Sequence, residues 1–296
     1  MRAWYEPLTE SPGEPYPLYS TYSTLLALCL GTMGLPHVLV RFYTNPDGRA
    51  ARRTTVVVIA LIGVFYLFPP VYGVLGQVYL PTSLTDIPAD QVVLELPKAA
   101  FPGLTGDILA AVLAGGAFAA FLSTASGLVI SIAGVIAQDV LRQTLARMTA
   151  GDSGVIQGFR IATVVAVLVP LIGAVSTAPL GLARTVNLAF AIAASTLAPL
   201  LLLGVWWRRL SVPGAYAGLV VGGGLAATAT LVTVVLRPEP GWVATVLSQP
   251  AAWCIPAAFT AMTLVSLATP GRVPAGTAKT LARLHTPEGL DLQSNR

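Results

Sequence analysis

The feature that most constrains this chain is a succession of apolar runs, each about 20 residues long. At about 1.5 Å of rise per residue, a helix of that length crosses the roughly 30 Å hydrocarbon core of a bilayer. Seven such runs can be read, over residues 22–42, 54–79, 107–136, 161–180, 185–206, 214–236 and 249–268. Backbone polar groups have no water partners in lipid, so spanning segments of this length must satisfy them internally as helices. The predicted fold class is therefore all-α, a polytopic helical membrane protein of about seven spans. Composition agrees, with 10% charged residues, a mean hydropathy of +0.74, and soluble domains carrying roughly 25% charge. The lipid bilayer is thus the first partner. A net charge of +4 implies no nucleic-acid partner.

The distribution of charge orients the spans. With the loop after the first run placed in the cytoplasm, the inner side collects Arg41, Arg49, Arg52, Arg53, Arg142, Arg147, Arg160, Arg208, Arg209, Arg272, Lys279, Arg283 and Arg296. The outer side keeps only Arg2, Lys98, Arg184 and Arg237. This positive-inside bias predicts a multi-pass protein of the plasma membrane with its N-terminus outside and its C-terminus in the cytoplasm. Residues 1–21 then form a polar extracellular segment, 22–268 the transmembrane domain and 269–296 a cytoplasmic tail, expected to be poorly ordered. The N-terminal segment has no apolar core and does not read as a signal peptide. Trp206, Trp207 and Trp242 fall at span ends, where amphipathic rings favour the headgroup level. The outer loop 80–106 contains "QVVLELP", which predicts a short helix there. Residues 138–148 read as an amphipathic extension of the third span, and Asp107 as the cap of its start.

Helix breakers recur. Gly31, Gly34 and Pro36 are expected to break the first span, Pro69 and Pro70 the second, Pro170 the fourth and Pro199 the fifth. Broken helices expose backbone groups at membrane depth, which is tolerated where protein or a water-filled cavity satisfies them. Such breaks suit a transporter.

No enzyme constellation is present. His37 and His285 have no carboxylate or cysteine at ligand spacing, and Cys29 and Cys254 lie inside apolar runs with no disulfide or metal pattern. No acid or base lies deep in a span, so no intramembrane proton relay is indicated. What remains is "AAFLSTASGLV", residues 119–129. Ala120, Ser123 and Thr124 lie at i, i+3 and i+4 and share one helical face near mid-membrane. Two hydroxyls and one carbonyl offer neutral oxygens of the kind that replace an alkali cation's hydration water. Spacing alone leaves a second explanation open, in which the hydroxyls bond back to their own helix or pack against a neighbour. The similar pair Ser195–Thr196 shows how common the pattern is.

Three blocks resemble the sodium:solute symporter family, in the bacterial cation/acetate and monocarboxylate branch. They are "LCLGTMGLPHVLVRFYTNPDGRAARRTT" (28–55), "AAFLSTASGLVISIAGVIAQDVL" (119–141), and "VNLAFAIAASTLAPLLLLGVWWRRLSVPGAYAGLVVGG" (186–223). They occur in family order, and the resemblance covers roughly residues 22–268. It implies a partial LeuT-like fold, in which two inverted five-helix repeats enclose sodium and solute near the midplane. The first five runs would be core helices six to ten, and the last two peripheral. On that alignment Ala120, through its carbonyl, and Ser123 and Thr124, through their hydroxyls, take the sodium-ligand positions. Gly31, Thr32, Met33 and Gly34, freed from regular helix, would line the solute cavity together with Asn187 and Phe190. Pro36, His37 and Arg41 would shape the inner loop.

The resemblance implies a sodium-coupled symporter of a small monocarboxylate such as acetate, with sodium as coupling ion, no further cofactor and no enzymatic activity. Proline, pantothenate or a sugar are alternative solutes, and a non-transporting membrane subunit is an alternative of another class. Family members have about thirteen spans, and seven are read here. The chain is accordingly expected to be the C-terminal part of a truncated or split symporter, inactive alone, with the missing N-terminal half as its partner.

Overall fold

The computed structural model describes residues 16–35, 45–80, 91–137, 152–177, 181–236, 239 and 241–286. Among these the regular structure is helical. In chain order the α-helices are α1 (Pro17–Gly34), α2 (Gly48–Phe65), α3 (Phe68–Tyr79), α4 (Val92–Ala100), α5 (Leu104–Val135), α6 (Asp152–Thr177), α7 (Leu182–Trp206), α8 (Val212–Val235), α9 (Trp242–Ser248), α10 (Ala251–Ala268) and α11 (Thr277–His285). Five stretches are long and apolar enough to cross a membrane: Gly48–Tyr79, Leu104–Val135, Leu182–Trp206, Val212–Val235 and Ala251–Ala268. The stretch Arg160–Val175 within α6 is apolar but shorter. The chain is thus a multi-pass helical membrane protein. It divides into two compact units, Met1–Leu39 with Ala174–Arg296, and Val40–Gly173.

The first unit is built on small residues. Gly31 of α1 sits on the Phe190 carbonyl and ring of α7, and Gly34 sits against Leu197 and the Ala193 carbonyl. The register therefore rises together along α1 and α7, and the two helices run parallel. Ala27, Ala191, Ala194, Ala251 and Ile255 form the buried cluster where α1, α7 and α10 meet. α8 runs antiparallel to α10, with Gly214, Gly218 and Gly222 against Ser266, Met262 and Ala258. Small residues at every fourth position let backbones approach closely, which is how membrane helices gain packing without a hydrophobic drive between them. Ser211 caps α8 by accepting from the Gly214 N–H at 3.1 Å, and its own N–H donates to Ser266 Oγ at 3.2 Å.

Pro199 does not break α7, as its position had suggested; the helix continues from Leu182 to Trp206. A proline at that point leaves the Ser195 carbonyl without its i+4 donor. That carbonyl faces Gly222, where any Cβ would collide with it. The neighbouring helix thus makes room for the freed oxygen, and a Cα–H···O contact is available to it. Pro170 likewise lies inside a continuous α6.

In the second unit the expected break at Pro69–Pro70 is present. α2 ends at Phe65, Tyr66 and Leu67 form a turn, and α3 starts at Phe68 with proline in its first turn. α2 begins on Asp47, whose side chain accepts from the Ala50 N–H at 2.6 Å. The short helix predicted in the outer loop is α4, which packs on α3 where Val92 meets Gly76. Gly106 of α5 fits beneath the Phe101 and Pro97 carbonyls. α5 is one uninterrupted helix whose N-cap is Gly103 with φ 91°, and no side chain caps it. Asp107 lies in its first turn and is not the cap that was expected. At the far end Ala133 packs with Ala162 and Ala166 of α6. Residues 138–148, Pro36, His37 and Arg41, with the expectations attached to them, lie outside the described residues.

Candidate sodium and solute sites

α5 carries Ala120, Ser123 and Thr124 on one exposed face. That face is made of small residues: a methyl on Gly116, one turn before Ala120, or on Gly127, one turn after Ser123, would meet nothing within 4 Å. The most apolar window of α5 is 6% buried, against 39% for α7. Four other hydroxyls of α5 and α7 bond back to their own helix. Ser126 donates to the Ser123 carbonyl at 3.0 Å, Ser131 to Gly127 at 2.8 Å, Ser195 to Ala191 at 2.8 Å and Thr196 to Ile192 at 2.7 Å. The hydroxyls of Ser123 and Thr124 make no hydrogen bond among the described residues. Two hydroxyls on this face thus stand outside the helix's own bonding, beside the Ala120 carbonyl with its second lone pair. Three neutral oxygens suit a hard monovalent cation but do not by themselves complete its shell.

The residues predicted to line a solute cavity are partly brought together. Gly31 and Phe190 are in contact, and Gly34 lies one turn further along the same α1–α7 seam. The expected unwinding at Gly31–Gly34 is not found, because α1 is helical to Gly34. These glycines serve close packing instead, since both sit on α7 backbone carbonyls. Thr32 is exposed and donates to the Leu28 carbonyl at 2.8 Å, and Met33 is half-buried.

Asn187 is buried, 8% exposed, and belongs to a polar knot that sequence reasoning missed. Its centre is Gln249, between α9 and α10. The Gln249 side-chain oxygen accepts from Asn187 Nδ2 at 2.6 Å and from the Thr24 hydroxyl at 3.2 Å. The Gln249 carbonyl, an orphan at the end of α9, accepts from the Tyr19 hydroxyl at 2.9 Å and from Ser23 at 2.8 Å. Ser23 Oγ also accepts from the Ala252 N–H at 3.1 Å. One turn of α1 thus ties the α9–α10 junction to α7. Asn187 Oδ1 is buried with no partner among the described residues, an arrangement that calls for a water or other donor. The only sequence signal for the knot was a lone Gln before Pro250 in an apolar stretch. Q249A strips Asn187 and Thr24 of their acceptor and is expected to cost about 1–3 kcal/mol. Thermal unfolding of the detergent-solubilised chain checks this, with Q249E, which keeps an acceptor, losing less.

Stacked small-residue helices and apolar spans define a polytopic helical membrane protein. A family model described as "Sodium:solute symporter family" matches residues 16–222. The chain belongs to the sodium:solute symporter family. It is 34% identical over 262 residues to the "Uncharacterized symporter YwcA" of Bacillus subtilis, covering 88% of this chain and 48% of that one. It is 32% identical over 250 residues to the "Monocarboxylic acid transporter" of Corynebacterium glutamicum, covering 81% and 44%. A third relative, the "Uncharacterized symporter H16_A2524" of Cupriavidus necator, is 28% identical over 318 residues, with 89% and 46% covered. The chain spans about half the length of the curated relatives it matches. No solved structure matches it.

Proposed function

We propose that this chain supplies one half of a sodium-coupled symporter for a small monocarboxylate such as acetate. Family membership supports sodium as the coupling ion, and the name of the Corynebacterium relative supports the solute class. The observation that carries the reading is the bare hydroxyl pair of Ser123 and Thr124 on a small-residue face, where neighbouring hydroxyls bond back to their helix. Packing residues would be expected to do the latter. Ala120, Ser123 and Thr124 form one wall of a sodium site on this reading, and the helices of the other half bring the facing ligands. The α1–α7 seam with Gly31, Gly34, Asn187 and Phe190 forms the chain's side of the solute path, with Thr32 and Met33 at its edge.

The mechanism is alternating access. Sodium binds from outside and favours the outward-open state, solute follows, and both leave to the cytoplasm. Thermodynamic reciprocity requires that each ligand raise affinity for the other by the same factor. A wall of three neutral oxygens cannot supply that coupling by itself, so residues 1–296 in liposomes are expected to show no sodium-driven acetate uptake. A chimera in which this chain replaces the matching stretch of the Corynebacterium transporter is expected to restore it. Sodium-driven uptake by 1–296 alone would overturn the half-site reading. A well-expressed chimera with no uptake would favour a non-transporting subunit.

A further inference from the structure

The tail expected to be poorly ordered contains a helix that folds back on the end of α7. α11 (Thr277–His285) buries Leu281, 5% exposed, as its anchor. The His285 and Trp206 rings lie 4.8 Å apart between centroids, tilted by 59°. His285 Nδ1 lies 2.8 Å from the Leu281 carbonyl, which assigns that nitrogen as the donor and leaves Nε2 for another partner. Between the two segments is a cavity of about 230 Å³ lined by Val205, Trp206, Arg208, Leu281, Ala282 and His285.

Among the described residues, charge and apolarity at this place are one-sided. The same two segments carry Arg209, Lys279 and Arg283, all exposed. None of these, nor Arg208, pairs with a carboxylate among the described residues. Between 205 and 286 the described acidic residue is Glu239, beyond the opposite end of α8. Close beside the cations stand two large exposed apolar groups, Trp206 at 71% and Leu284 at 63%. A soluble anion would answer the cations but leave that apolar surface in water. An anionic lipid at the headgroup level answers both, since aromatic rings favour that depth and each basic residue near such a surface gains about 1 kcal/mol.

We propose that the cavity between α7 and α11 binds the phosphate of an anionic phospholipid headgroup. Arg208 faces the phosphate beside the His285 ring, Trp206 and Leu284 meet the acyl boundary, and α11 is thereby held against the bundle. The site stands on the packing of α11 and needs no transport activity.

The test uses the full chain in nanodiscs of phosphatidylcholine alone or mixed with phosphatidylglycerol, and native mass spectrometry counts the phosphatidylglycerol retained per chain. The chain should retain at least one molecule more than the R208Q/H285Q variant. Its phosphatidylglycerol affinity should exceed the variant's by roughly 5-fold, the loss expected for one guanidinium near an anionic headgroup. Matching unfolding temperatures of the two proteins in phosphatidylcholine alone show that the variant folds. Where they differ, R208K, which keeps the charge, must retain phosphatidylglycerol better than R208Q. Equal retention by chain and variant, equal retention by R208K and R208Q, or full competition by millimolar inorganic phosphate would each overturn the proposal, the last by showing a free-anion site.

Discussion

Uptake by the chimera carrying both Ser123→Ala and Thr124→Ala is expected to require far more sodium while expression stays intact. Each hydroxyl lost from a cation's shell removes an interaction with a charged group, of the order of 1.5–3 kcal/mol. That is about 10- to 100-fold in sodium affinity per residue, and the double variant should show no sodium stimulation in the accessible range. The fold gives little ground for a structural effect. Both side chains are exposed and unbonded within the described residues, and alanine is the better helix former. A pure packing role predicts the reverse pattern, with lost protein and an unchanged sodium requirement in whatever survives. Dose–response curves for sodium at fixed acetate, normalised to membrane-inserted protein, separate the two.

The second large effect concerns the fold. Gly222→Ala is expected to destabilise the first unit by about 1–3 kcal/mol, at the upper end of that range. Its new methyl would collide with the Ser195 carbonyl and stand 2.7 Å from the Ala258 side chain. Neither an alanine Cβ, fixed by its own backbone, nor a backbone oxygen in the middle of α7 can turn aside. That oxygen is also the one Pro199 leaves unbonded, so displacing it removes a contact nothing else supplies. A melting temperature lower by roughly 5–10 °C follows from about 2–4 °C per kcal/mol. Gly224→Ala, two positions on, is the internal control. Its methyl would meet nothing within 4 Å, so the helix-propensity gain of up to about 1 kcal/mol should appear unopposed. Equal losses at both positions would mean that the α7–α8 approach is not what these glycines serve.

Apolar run length made the helices legible, because burial in lipid is a property of the segment and needs no knowledge of neighbours. Pro69–Pro70 was legible as a break for a similar reason, two adjacent prolines acting within their own helix. Single breakers were not. Pro199 lies inside a continuous α7 whose freed Ser195 carbonyl stands over Gly222 of another helix, and Gly31 and Gly34 turned out to be seats for α7 backbone. Gln249 was invisible because its partners Tyr19, Ser23 and Thr24 are 225 to 230 residues away in sequence. α11 was missed because its large apolar residues are only Leu281 and Leu284, too few to mark a helix without the end of α7 beneath it. For the candidate sodium wall, helical spacing put Ala120, Ser123 and Thr124 on one face, and the structure has them there. Their free hydroxyls could not be read from spacing, which serves Ser195 and Thr196 equally well.

Sodium occupancy at that wall can be read directly by thiol protection. Cys29 is exposed and Cys254 buried, so a Cys29→Ser background leaves Gly116→Cys, one turn before Ala120 on the same face and with nothing within 4 Å of its new Cβ, as the accessible thiol of this chain. Native cysteines in the rest of the chimera are removed. With a small membrane-permeant thiol reagent, labelling at position 116 should slow as sodium is raised and be unaffected by the same concentrations of potassium or choline. Labelling that proceeds at one rate in all three salts, in a chimera that takes up acetate with sodium, would contradict a sodium site on this face of α5.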